Sequence, residues 1–190
     1  MNSHYTVIYD ACVMYPAPLR SLLMYLTLTG LYRARWSDQI HDEWIRNLLI
    51  KRPDLSKEQL QRTRELMDKH VPGSLVTGHE VLIDSITLPD QDDRHVVAAA
   101  IQTRAESIIT FNIKDFLDDC LNQFSLQAIH PDEFIAGQFD LHAPSVIEAA
   151  RNHRTNLKNP PFTAEEYLDC LLRQQLPQTV NRLRDLHYLL

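Results

Sequence analysis

The sequence predicts an α/β protein: a three-layer α/β/α domain built on a mostly parallel sheet, followed by an all-helical extension. Three observations predict it. Short β-branched or aromatic runs alternate with segments of helical periodicity. The chain between one strand-like run and the next is long enough for a crossover, the connection that parallel neighbours require. Past residue 138 the strand-like runs stop while helix-start signals continue. The expected division is 1–138 for the α/β domain and 139–190 for the helical extension.

Tyr5 to Tyr9 (YTVIY) reads as a buried first strand ending at Asp10. Leu19 to Leu28 repeats apolar residues at helical spacing and is stopped by Gly30. Leu31 to Trp36 alternates weakly and is taken as strand two. Ser37 is an expected N-cap for a helix reaching about Arg52, with Ile40, Trp44 and Leu48 on one face. Ser56 to Gln59 fits a capping box that opens a helix to about His70. Glu80 to Ile86 (EVLIDSI) is expected as strand three, Asp93 to Ala105 as an Ala-rich helix, Ser107 to Phe111 as strand four and Leu126 to Ile129 as a short fifth strand. In the extension, Ser145 to Glu148 and Thr163 to Glu166 both fit capping boxes, and Val180, Leu183, Leu186 and Leu190 mark a last amphipathic helix.

Composition narrows the function classes. The 190 residues are 44% hydrophobic and 23% charged, with four Gly and ten Pro, as in an ordinary globular domain. The N-terminus lacks the layout of a signal peptide and no apolar run is long enough to cross a bilayer, so a cytoplasmic protein without membrane contact is expected. Three scattered cysteines without a CxxC pair point to reduced thiols. A net charge of −6 argues against a generic nucleic-acid coat but is compatible with a local basic patch. There is no GxGxxG or P-loop, and "HEVLI" lacks the second His of a zinc-protease helix.

The acids carry the chemistry. In parallel sheets, ligands sit beyond the carboxyl ends of the strands. Asp10 ends the first strand, and Asp90 and Asp93 precede the Ala-rich helix. Asn112 follows strand four, with Thr110 inside it and Asp115 one turn on, and Glu43 lies in the second turn of the helix after strand two. The topology is expected to gather these residues at one end of the sheet. Clustered carboxylates raise one another's pKa unless a cation compensates them, and oxygen ligands select Mg²⁺ or Mn²⁺. The plainer readings are a helix cap for Asp93, a solvated helix position for Glu43 and turn residues for Asn112 and Asp115. His95 reads as a packed or surface residue.

Asp10 after an apolar strand, the Glu43-Trp44 pair, "LPDQDDRHVVAAAI" and "IITFNIKDF" together resemble the PIN-domain ribonucleases, most closely the VapC-type toxins of bacterial toxin–antitoxin pairs. The likeness covers residues 5 to about 136, and the tail is similar to the helical extension of one toxin subgroup. The resemblance implies metal-dependent endonucleolytic cleavage of RNA, tRNA or another translation RNA, with a metal-activated water as nucleophile. It implies Asp10, Glu43 and Asp93 as metal ligands with Asp90 as an additional acid. Asn112 and Asp115 would complete the catalytic set, supported by Thr110. Cys12 stands where many members have Asn, and Asn112 where many have a fourth Asp. Phosphates would be gripped from among Arg33, Arg35, Lys51, Arg52, Arg151, Arg154 and Lys158. The implied partners are the RNA substrate and a cognate, DNA-binding antitoxin protein; the apolar residues of the C-terminal helices could serve that partner or a homodimer, with core packing as the plainer use. Two alternatives stay open at this point: an RNA-processing or DNA nuclease that is not a toxin, and a non-catalytic RNA- or protein-binding module.

Overall fold

A computed structural model describes residues 5–190. Five strands, β1 (Thr6–Tyr9), β2 (Arg33–Ser37), β3 (Leu75–Val76), β4 (Ser107–Ile109) and β5 (Gln127–Ile129), form one all-parallel sheet in the order β3-β2-β1-β4-β5. Val7, Ile8 and Tyr9 are all essentially inaccessible. Successive strand side chains point to opposite faces, so β1 is covered on both sides. The chain runs outward from β1 to β2 and β3, then crosses back to β4 on the other flank. The carboxyl end of β1 is therefore the switch point at which such sheets open a crevice.

Nine α-helices accompany the sheet among the described residues: α1 (Ala11–Met14), α2 (Ala17–Thr27), α3 (Asp38–Lys51), α4 (Lys57–His70), α5 (Arg94–Thr103), α6 (Asp118–Leu121), α7 (Pro131–Asn156), α8 (Ala164–Arg173) and α9 (Pro177–Arg184). The expected caps of α3 and α4 form. Ser37 accepts from the Ile40 amide, and Ser56 and Gln59 make a reciprocal capping box. The rotation of α3 is fixed by a buried polar chain. The Trp44 indole N–H donates to His41 Nδ1 at 3.0 Å, so His41 carries its proton on Nε2, 3.1 Å from Asp68 Oδ1. The same Asp68 oxygen accepts from the Trp36 indole at 2.7 Å, tying β2, α3 and α4 together. Glu43, one residue before Trp44, is thereby set at the rim of the core.

Two expectations are corrected. Glu80–Ser85 is a 3₁₀ helix rather than strand three, and Val81 in it is 84% exposed. The strand beside β2 is Leu75–Val76, with Gly73 and Gly78 at positive φ on either side. A short apolar run does not distinguish strand from helical turn by periodicity, and here the turn residues bracket a different segment. The capping box at Ser145–Glu148 does not form either. His142 (φ −161°, ψ 79°) kinks α7, and its Nδ1 accepts from the Ser145 amide at 3.2 Å, so a ring nitrogen serves where a Ser hydroxyl was expected.

Helix α7 runs through residue 138 and packs on both α2 and α9. Phe134 meets the Tyr32 ring edge-on at 4.8 Å. Buried Asp132 accepts from the Gln178 and Thr179 amides at 2.8 Å each, capping α9 from a distance in sequence of more than forty residues. The Thr163–Glu166 capping box opens α8 as expected. No helix among the described residues is long and apolar enough to cross a membrane.

Candidate active site

Asp10 is the buried centre of the site, 2% exposed at the end of β1. Its backbone amide donates to the Ile109 carbonyl at 3.1 Å, holding the ends of β1 and β4 together. Thr110 Oγ1 donates to Asp10 Oδ2 at 2.7 Å, and the Cys12 thiol donates to the same oxygen at 2.9 Å. Thr110 Oγ1 accepts in turn from the Asn112 amide at 2.9 Å, and Cys12 Sγ from the Phe111 amide at 3.2 Å. Both side-chain donors converge on Oδ2, which leaves Oδ1 without a side-chain hydrogen bond among the described residues. Burial raises the Asp10 pKa, the two donors oppose that rise, and the Glu43 carboxylate adds to it.

Asp93 sits at the N-cap position of α5 but makes no side-chain cap hydrogen bond, so the capping role does not account for it. Its pKa is pushed up to about 7, first by burial and then by Asp10, Asp90, Glu43 and Asp115. Five acids dispersed between residues 10 and 115 thus lie within electrostatic reach of one another. Among the described residues no three His, Cys, Asp or Glu side chains already stand at metal-ligating spacing. Uncompensated carboxylates repel one another, and a charge of opposite sign is what relieves that repulsion. The donors are all carboxylate oxygens, the set that fits a hard divalent cation.

The remaining predicted residues fall in different places. Asp90 is exposed, and its Oδ1 accepts from the Asp92 amide at 2.9 Å. Asn112 is exposed and joins the site through its backbone amide rather than its side chain. Of the basic residues, Arg33 pairs with Thr6 at the start of the sheet, the end away from Asp10. Arg35 donates to the Gly73 carbonyl, and Arg52 is held by both oxygens of Asp54. Arg154 donates to the Phe162 and Leu190 carbonyls at 2.6 and 3.1 Å, a structural clamp within the extension. Arg151 and Lys158 are exposed on that extension, and Lys51 is exposed near Cys12.

Two residues of the site escape sequence reasoning. Cys12 holds Asp10, and its only signal is its position two residues after that acid. His95 is buried on α5, with Nε2 3.3 Å from Glu43 Oε2 and no partner for Nδ1. His95 therefore joins α5, which Asp93 heads, to α3, which carries Glu43.

Comparison with known proteins bears on the family of the chain. A family model described as the PIN domain matches residues 6–114, and one described as the VapC50 C-terminal domain matches residues 131–185. The chain is 40% identical over 94 residues to "Putative ribonuclease VapC50" of Mycobacterium tuberculosis. That alignment covers 50% of this chain and 55% of the relative, so the chain spans about half the length of the curated relative it matches. No solved structure matches the chain.

Proposed function

The chain belongs to the PIN-domain family, and on that premise we propose that it is an endoribonuclease acting as the toxin of a toxin–antitoxin pair. The observation that carries the reading is the gathering of Asp10, Glu43, Asp90, Asp93 and Asp115 within electrostatic reach of one another at the switch point of the sheet. A fold that leaves such repulsion uncompensated reads as a site for a cation. Asp10, Glu43 and Asp93 would hold Mg²⁺ or Mn²⁺, with Asp90 nearby. When bound, the cation supplies positive charge for a phosphate and lowers the pKa of a coordinated water.

The chain's own residues do the positioning. Thr110 and Cys12 fix the Asp10 carboxylate through Oδ2 and leave Oδ1 without a side-chain donor among the described residues. His95 holds Glu43. Asp115 and Asn112, on the turn after β4, orient solvent at the same mouth. The catalytic work belongs to the α/β unit within residues 1–138, and the helices of 139–190 brace it through α2, on which α7 and α8 pack. The substrate is RNA, tRNA or another translation RNA. The partners are a DNA-binding antitoxin and a second copy of the chain, and the compartment is the cytoplasm.

The test is cleavage of purified tRNA, rRNA and DNA by the wild-type protein and by Asp10→Ala, with Mg²⁺, Mn²⁺ or EDTA. Cleavage of RNA that stops in EDTA and in Asp10→Ala is expected, together with growth arrest on expression without an antitoxin. Undiminished cleavage by Asp10→Ala in EDTA overturns the reading, and a preference for DNA replaces it with a DNA nuclease.

A further inference from the structure

Between α1 and α3 lies a recess of about 370 Å³ lined by Cys12, Tyr15, Asn47, Ile50 and Lys51. It adjoins the acids. Cys12 forms its wall while donating to Asp10 Oδ2, and Asn47 stands one helical turn beyond Glu43 on α3. Its chemistry differs from theirs. Ile50 is 73% exposed, an isolated branched aliphatic beside the half-buried Tyr15 ring. Lys51 Nζ lies 5.8 Å from the Tyr15 ring centroid and makes no ion pair among the described residues, whereas the adjacent Arg52 is neutralised by Asp54. Neither the Tyr15 hydroxyl nor the Asn47 amide has a side-chain partner among the described residues.

An aromatic ring, an exposed aliphatic, an amide without a side-chain partner and an ammonium without an ion pair among the described residues, all within a few residues of the acids, match the parts of one nucleotide. Bases stack on aromatic rings in single-stranded RNA sites, phosphates take cations, and base edges take amides. A chain of net charge −6 must attract a polyanion locally, and Lys51 supplies an unpaired cation at the mouth of the acid site.

We propose that the recess of Tyr15, Asn47, Ile50 and Lys51 is a nucleotide subsite that holds the residue of an RNA strand next to the scissile phosphate. The base lies against Tyr15 and Ile50, its edge meets Asn47, and its phosphate meets Lys51. The subsite rests on the reading of the neighbouring acids as an RNA-cleaving site.

The test measures binding of a fluorescein-labelled, single-stranded RNA 12-mer of mixed sequence by anisotropy in EDTA, with Mn²⁺ binding followed in parallel by calorimetry. Tyr15→Leu, which keeps apolar volume but removes the ring, and Lys51→Ala, at an exposed position, are each expected to weaken RNA binding roughly tenfold. Tyr15→Trp should restore it. Lys51→Ala should also flatten the dependence of log Kd on log salt by about 0.7, the contribution of one phosphate contact on a single strand. In turnover the two weakened variants should raise KM more than they lower kcat, while their Mn²⁺ affinity stays at the wild-type value. Wild-type RNA affinity and salt slope in Tyr15→Leu and Lys51→Ala overturn the subsite and leave the acid site standing. A wild-type protein that takes up Mn²⁺ but no RNA overturns the ribonuclease reading and the subsite with it.

Discussion

Replacing Asp93 by Asn should stabilise the metal-free protein while destroying the site. The folded-state pKa of Asp93 is about 7 against an ordinary 3.8, so the folded chain retains a proton that the unfolded chain has released. Stability therefore falls as pH rises from about 4 to about 7, and the full cost is in place above that window. At about 1.36 kcal/mol per pKa unit the displacement corresponds to about 4 kcal/mol, and solvent screening of a half-buried carboxylate reduces this to about 2. Asn removes the charge at nearly constant volume. In urea unfolding with EDTA, Asp93→Asn should gain about 2 kcal/mol near pH 8 and nothing near pH 4. The difference between the two proteins at each pH isolates Asp93 from the other titrating groups. Saturating Mn²⁺ should raise the stability of the wild type and leave the variant nearly unmoved. A variant no more stable than the wild type near pH 8, or a gain of equal size near pH 4, would refute the argument that burial, reinforced by the neighbouring acids, raises this pKa.

Two further outcomes follow from single contacts. His95→Leu should weaken Mn²⁺ binding about 10- to 100-fold, the usual effect of removing a residue that orients a metal-holding side chain. His95→Gln, which keeps an N–H donor, should recover part of it, and calorimetry on the folded variants reads both. Asp132→Ala strands the Gln178 and Thr179 amides at the start of α9 and should cost about 3 kcal/mol in urea unfolding, with Mn²⁺ binding intact.

The sheet and most helices were legible because their signals are local. Val7 to Tyr9 is an apolar run between polar neighbours, and Ser37, Ser56 and Thr163 carry cap chemistry that needs only the next three residues. Strand three was missed because β3 has two residues, too few for alternation to register, and exists through pairing of Trp36 with Leu75. Gly73 and Gly78 were the available signal, since a strand bracketed by two positive-φ glycines is a turn-strand-turn unit. The kink at His142 was equally hidden, because a ring nitrogen accepting from the Ser145 amide belongs to no standard capping pattern.

The acids were legible by a different route. Parallel topology sends the ends of β1 and β4 and the start of α5 to one place, so Asp10, Thr110 and Asp93 follow from counting strands even with strand three misplaced. That error was harmless because Asp93 heads α5, which packs on β1, β2 and β4 as well as on the 3₁₀ helix Glu80–Ser85. What the acids lean on was not legible. Cys12 and His95 are ordinary residues until the fold brings Sγ to 2.9 Å from Asp10 and Nε2 to 3.3 Å from Glu43. Carboxylates announce themselves in a sequence because burying charge is costly and demands a reason. Their supports are small or neutral groups whose burial costs little, so only geometry reveals them, and the variants that separate support from ligand are Cys12 and His95 rather than further acids.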